Sequence, residues 1–241
     1  MEFKANGVRK KMNFRFFLFM VVMASFSSSI LLLALSDKLA PSYGAKGLEL
    51  TNVTLTQDQS KYKHLVGLVN NIGNNTANQI IISANFLGEG NISLGNFSKQ
   101  TELRSLNPNE ITPFDILIFD KKNNEKIKNF KADIKYNLTD HKDKKLDIVA
   151  NNSRLDMTGF FFINGKIKNS GDTHSNNTNV ISILYDKNKE LVGVWKAQTE
   201  PYDIPPSTTA SFTIPVTDKT QSFRISSFTL LTESNNYSEL K

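Results

Sequence analysis

The 241-residue chain has no cysteine, only three histidines and one tryptophan. Without a thiolate there is no cysteine nucleophile, no disulfide, no thiolate zinc site, and no blue or binuclear copper centre. That removes the cupredoxins, another group of exported β-sandwiches of similar size. Of His64, His141 and His174, none has a second histidine at ligand spacing, so no metal ligand is expected among them. His64 reads as a strand residue facing solvent or a polar edge, His141 as part of a charged linker, and His174 as a loop residue. There is no Gly-x-Ser-x-Gly elbow, phosphate loop or dinucleotide fingerprint. Asp186-Lys-Asn-Lys-Glu190 lacks the glycine and the length of a calcium loop and reads as a hairpin turn. No catalytic residue and no cofactor is expected, and the chain reads as a non-enzyme.

Helical patterning is also missing after residue 36. Lys121–Lys135 has a helical composition, but Ile127, Phe130 and Ile134 form only a thin stripe, so a loop followed by a strand is expected there.

The positive excess is unevenly placed. Lys4, Arg9, Lys10, Lys11 and Arg15 stand against Glu2 at the N-terminus, and this flank carries most of the net charge of +6. The remainder is nearly balanced, so no nucleic-acid-binding face is expected. The lysines of Lys121–Lys145 alternate with Asp120, Glu125, Asp133, Asp140 and Asp143, the pattern of a solvated loop and linker. A patch resting on anionic lipid or wall polymer is the sharper alternative.

Behind the flank, Phe16 to Leu35 is a run of 20 uncharged residues. As a helix it would span about 30 Å, one bilayer core. The basic flank stays cytoplasmic by the positive-inside rule and sends the rest of the chain outside. Two readings compete. One is an uncleaved signal anchor giving a single-pass protein of the cell membrane. The other is a signal peptide cleaved after Ala34-Leu-Ser36, which would release a secreted protein. The run exceeds the usual signal-peptide length, which favours the anchor.

What is abundant is internal similarity. Residues as far apart as Gly67 and Gly165 repeat in one register, without a gap. At that spacing Asn71 and Gly73 meet Asn169 and Gly171, and Gly95 meets Gly193. Gln100-Thr-Glu102 meets Gln198-Thr-Glu200, and Pro108, Phe114, Ile116, Asp120, Ile127 and Phe130 meet Pro206, Phe212, Ile214, Asp218, Ile225 and Phe228. Phe97 and Trp195 also coincide and are expected in the core. A duplicated domain follows.

Phe114-Asp-Ile-Leu-Ile118 and Phe212-Thr-Ile-Pro-Val216 alternate apolar residues with a period of two, the mark of a strand with one buried face. Leu106–Glu110 and Ile204–Thr208 are turn segments. Gly67–Gly73 and Gly165–Gly171 read as strands running into Gly/Asn turns. Val180–Tyr185 and Leu191–Ala197 read as strands joined by Asp186–Glu190. Pro215 places its strand at a sheet edge or bulge.

The expected fold is all-β: two tandem immunoglobulin-like antiparallel β-sandwiches after one N-terminal transmembrane helix. The boundaries are residues 1–15 for the cytoplasmic flank, 16–35 for the span, 36–46 for a tether, 47–137 for the first repeat, 138–145 for a linker, 146–234 for the second repeat and 235–241 for a tail.

The second copy, with Gly165-Lys-Ile-Lys-Asn-Ser-Gly171, Val180–Gly193, the Pro205-Pro206 turn and Phe212, resembles the FxLyD domain family. Leu184-Tyr185-Asp186 is the most specific element of the resemblance. The first copy has Phe86-Leu87-Gly88 at that place. The resemblance implies an extracytoplasmic β-sandwich module and transfers no catalytic residue.

Possible N-glycosylation sequons begin at Asn52, Asn74, Asn91, Asn96, Asn137, Asn151, Asn176 and Asn236, all after the apolar run. The reading is a membrane-anchored cell-surface glycoprotein acting as an interaction or scaffold module. Its expected partners are the membrane and a protein or envelope polymer not identified by the residues. The alternative is an accessory or ligand-binding subunit of a membrane complex.

Overall fold

The computed structural model describes residues 47–140, 143 and 145–235. The apolar run 16–35, His141 and Asn236 lie outside the described residues. Both copies of the repeat fall in one compact unit.

Among the described residues the protein is nearly all β, with 61% strand and 6% helix, and its sheets are antiparallel. The first copy contributes β1 (Leu48–Gln57), β2 (Lys63–Asn71), β3 (Thr76–Leu87), β4 (Ser93–Gln100), β5 (Ser105–Leu106), β6 (Ile111–Ile118) and β7 (Asn129–Thr139). The second contributes β8 (Leu146–Leu155), β9 (Phe161–Asn169), β10 (Asn179–Tyr185), β11 (Leu191–Glu200), β12 (Thr209–Val216) and β13 (Ser227–Glu233). Strand β7 runs through Thr139, into the segment 138–145 expected as a linker.

In the first copy the sheet β1-β2-β6 faces a sheet in which β3 pairs with β4, β5 and β7. Between them lie Leu65, Val69, Ile80, Ile82, Phe86 and Phe114, each almost wholly buried. In the second copy the order is β13-β10-β11-β12-β9-β8. Strand β11 joins the two halves through a short pairing with β12 at Thr199 and Glu200. Its core includes Ile163, Ile167, Leu184, Val192, Phe212 and Ile214. The alternation expected of Phe212, Ile214 and Val216 appears in β12 as strictly alternating buried and exposed positions. Pro215 pairs with Phe162 of β9 and has no β11 partner beside it, as an edge position requires.

The positions matched between copies do matching work. Asn71 is 2% exposed and donates from Nδ2 to the Leu106 and Asn75 carbonyls at 2.7 and 2.9 Å. Its Oδ1 accepts from Gly73 N at 3.0 Å. Asn169, fully buried, makes the same three bonds to Ile204 O, Thr173 O and Gly171 N, at 2.8, 2.8 and 3.0 Å. Each asparagine thereby ties the end of one strand to the following proline-containing turn. In those turns Asn109 and Ser207, also matched, both have a positive φ, of 65° and 62°.

Two single-turn helices depart from the expected absence of helix after residue 36: α1 (Lys121–Asn124) and α2 (Lys219–Ser222). Their cause is local. Asp120 and Asp218 are N-caps whose carboxylates accept the first main-chain N–H groups, from Lys122 and Asn123 and from Thr220 and Gln221. The strand expected after each follows in β7 and β13.

The two copies also pack on each other. Val66 and Leu68 of β2 share one cluster with Ile183 of β10 and Leu191 of β11, with Ile111, Tyr185 and Leu231 against it. Strand β2 is therefore buried on both sides, with Leu65 and Val69 inward and Val66 and Leu68 against the second copy. At the matched places the other copy has Asn164 and Lys166 for Val66 and Leu68, and Asn85 and Ser93 for Ile183 and Leu191. At these four matched places the residue is apolar where a second sheet covers it and polar where none does.

Candidate functional site

Charged and aromatic side chains converge at one end of the junction between the copies. The site begins at the β1–β2 hairpin. There Asp58 turns the chain by accepting Tyr62 N at Oδ1 (2.7 Å) and pairing its own N–H with Tyr62 O at 3.0 Å. Two residues on, His64 occupies the first part of β2, cross-strand from Leu117 of β6. Alternation puts Asp115 on the same face, one pair further along, and the imidazole Nδ1 meets Asp115 Oδ1 at 2.8 Å. The other ring nitrogen, Nε2, lies 3.6 Å from Asp58 Oδ2, beyond hydrogen-bond reach, and is buried without a hydrogen-bond partner.

Burial alone would lower the pKa of His64. The hydrogen bond and charge of Asp115, with the charge of Asp58 behind them, outweigh it and raise the pKa above 6.5. His64, expected to face solvent or a polar edge, has only 16% of its side chain exposed and faces two carboxylates. It is also not a base poised on a nucleophile, because both ring nitrogens face carboxylates.

The second copy supplies the opposite wall. Trp195 on β11 is half-buried against the core of its own copy, and its indole Nε1 donates to Gln221 Oε1 at 2.7 Å. Gln221 is held there by α2. Asp218, 5% exposed, caps that helix and also accepts Gln59 N of the first copy at Oδ2, at 3.0 Å. Asp218 thus joins the two copies. A second tie lies further along, where Lys196 Nζ reaches Glu102 Oε2 at 2.8 Å. Asp58, Gln59, Ser60, His64, Asp115, Trp195, Asp218 and Gln221 border a cleft of about 340 Å³.

Of the other residues singled out by sequence, His174 is exposed on a loop away from this cleft. Asp186 closes the β10–β11 hairpin by accepting Asn188 N and Glu190 N at Oδ1, at 2.8 and 3.0 Å, as a turn residue does. The seven described sequon asparagines, Asn52, Asn74, Asn91, Asn96, Asn137, Asn151 and Asn176, are all exposed. Among the described residues, no group of three or more His, Asp or Glu is arranged to hold a metal ion. Sequence reasoning missed the cleft because its walls come from different copies. The available signal was the mismatch of His64 and Asp115 with Phe162 and Thr213 in an otherwise matched strand pair.

No protein-family model matches the chain. No curated protein matches it either. Among solved structures, the exo-chitosanase of Amycolatopsis orientalis aligns with 78% of this chain at 9% identity and a TM-score of 0.26. Red sea bream transglutaminase aligns with 78% of it at 8% identity and a TM-score of 0.27. The chain spans 26% and 30% of the lengths of those proteins. At such scores neither likeness carries an argument about fold or activity.

Proposed function

We propose that the chain is a non-enzymatic, membrane-anchored cell-surface protein that acts as an interaction or scaffold module through two tandem immunoglobulin-like β-sandwich repeats. The packing of the copies carries this reading. Val66 and Leu68 against Ile183 and Leu191 make a spacer with a set orientation, which presents its outer sheet faces and loops to partners. The exposed sequon asparagines favour an exported surface, and the basic flank with its 20-residue apolar run favours an N-terminal anchor. Among the described residues no helix is long and apolar enough to cross a membrane, and the run itself lies outside them. The resemblance of Leu184-Tyr185-Asp186 to the FxLyD family supports an extracytoplasmic module.

The test is co-purification in mild detergent together with sedimentation on cell-envelope material. Retention on the envelope without a stoichiometric partner supports the scaffold. A stable membrane partner moves the protein to the second reading, an accessory or ligand-binding subunit of a membrane complex. The cleft between the copies is the observation that favours that second reading.

A further inference from the structure

We propose that the tip of the second copy docks on an anionic lipid surface, with Met157 and Phe223 entering the headgroup region and a collar of cations resting on it. Three observations carry this.

The first is an apolar centre that no other part of the described chain covers. The β8–β9 turn closes with Asp156 N–H on Phe160 O and Gly159 N–H on Asp156 O, at 2.9 and 3.1 Å. Phe223, just past α2, lies against that turn, since a Cβ on Gly159 would fall 3.1 Å from its Cζ. Met157 at the crest is fully exposed, Phe223 is 68% exposed and Leu155 48%. Apolar side chains held in water cost free energy that burial against a partner recovers.

The second is the comparison between copies. At the matched places the first copy has Gln57, Gln59 and Glu125 for Leu155, Met157 and Phe223. At the junction, apolar residues replace polar ones where a sheet of this chain covers them. At the tip they replace polar ones with nothing of this chain above them. Folding does not account for that exchange, and an external surface does.

The third is charge. Arg154, Lys187, Lys189, Lys219 and Arg224 are exposed around the tip, and Glu190 is the one exposed acid among the described residues of its three turns. Lys219 Nζ lies 5.5 Å from the Phe160 ring at the foot of the patch, and Arg224 reaches toward Asp186 at the neighbouring hairpin. The remaining carboxylates are turned onto main-chain N–H groups. Asp156 accepts Thr158 N and Phe160 N, Asp186 accepts Asn188 N and Glu190 N, and Asp218 caps α2. The first copy has Glu89 at the place of Lys187. An apolar crest collared by lysine and arginine fits the boundary between acyl chains and anionic headgroups. The same collar repels a second copy of the tip, and a convex crest needs a matching pocket in a protein but only a soft surface in lipid.

The chain has no cysteine, so Met157→Cys carries a single polarity-sensitive nitrobenzoxadiazole label. The full-length protein, held in phosphatidylcholine nanodiscs, is mixed with vesicles of phosphatidylcholine alone or with about one-third phosphatidylglycerol. On the anionic vesicles the label's emission is expected to rise and shift to the blue. Flotation should show binding about tenfold stronger than to phosphatidylcholine, and weaker in about 0.5 M salt. The double variant Met157→Ser, Phe223→Ser should bind about tenfold more weakly while melting as the parent does, because both side chains are exposed. Lys219→Glu should weaken binding without touching the apolar centre.

The proposal is overturned if the anionic vesicles do not bind up to about 1 mM lipid. It is also overturned if they bind with no blue shift at position 157, or bind the double serine variant as well as the parent. A blue shift that grows with protein concentration in the absence of vesicles assigns the tip to a second copy and overturns it too. The scaffold reading stands or falls separately, on envelope retention of the double serine variant, whose tip is disabled.

Discussion

Phe212 lies across Gly165. The two are cross-strand partners on β12 and β9, and a Cβ placed on Gly165 would run into the Phe212 ring and into the main-chain oxygen of Ala150. Gly67 and Phe114 repeat the arrangement on β2 and β6, with a Cβ on Gly67 falling 2.6 Å from Phe114 Cζ. Each core is thus closed by a ring that fills the space its partner lacks.

The asymmetry between the two sites gives a first expectation. At Gly67 the obstruction is made by side chains, which shift at moderate cost. At Gly165 a main-chain carbonyl blocks the same space. Gly165→Ala should destabilise by about 2–3 kcal/mol and Gly67→Ala by less, in line with other overpacked cores. Emptying the ring side should cost more, with Phe114→Ala and Phe212→Ala each losing about 3–5 kcal/mol. Denaturant melts of the four variants check both statements, and equal midpoints for the two glycine variants would refute the first.

The buried asparagines give a second. Asn169 satisfies two carbonyls and one N–H while fully buried. Asn169→Asp removes the donor for both carbonyls and buries a charge among acceptors. A loss of about 3 kcal/mol or more is expected at neutral pH, partly recovered in acid as the carboxyl protonates. The same melts at pH 7 and pH 4.5 read it.

These relationships show how far the residues alone lead. The duplication marked Gly67, Asn71, Phe114 and Asp120 with their counterparts as scaffold, and each pair now has a contact that explains the match. The alternation in β6 and β12, the hairpin Asp186–Glu190 and the edge position of Pro215 were legible because they depend on local chemistry. The single-turn helices α1 and α2 were not, since four residues carry no periodicity and only the capping aspartate announces them. The junction between copies was hidden for a different reason. Its residues are the unmatched ones, Val66 against Asn164 and Ile183 against Asn85, and matching discards them. The cleft inherits that blindness, because His64 and Asp218 meet only once the sheets are stacked.

The junction supplies a third expectation. Val66→Asn and Ile183→Asn each install the residue that the other copy carries at an uncovered position. Both should leave the separate cores folded while weakening the stack by about 2–4 kcal/mol, the loss of a buried aliphatic side chain plus the burial of an amide. The double variant should cost less than the two together, because the residues share one cluster. Small-angle scattering should show a larger maximum dimension, and protease should cut more readily between residues 140 and 145. An unchanged scattering profile in the double variant would mean that Gln59–Asp218 and Lys196–Glu102 suffice to hold the copies together.

The last expectation concerns acid and base. His64 has its pKa raised above 6.5 in the folded protein, against the lowering effect of burial, by the Asp115 hydrogen bond and by the charges of Asp115 and Asp58. A group whose pKa is higher folded than unfolded binds its proton more tightly in the native state. Its stabilisation is therefore complete below the unfolded value, about 6.5, and is lost as the pH rises through the folded value. Above that point Asp58 and Asp115 lose their positive partner, while Asp218 adds a third carboxylate to the same cleft. Stability should fall with rising pH across this window in the parent protein, and the fall should be absent in His64→Gln, which keeps a polar side chain and cannot take up the proton. The two proteins should differ most in acid and converge in base. Thermal melts of both from pH 5.5 to pH 9 check this, and parallel curves would show that the histidine does not titrate where its carboxylate neighbours place it.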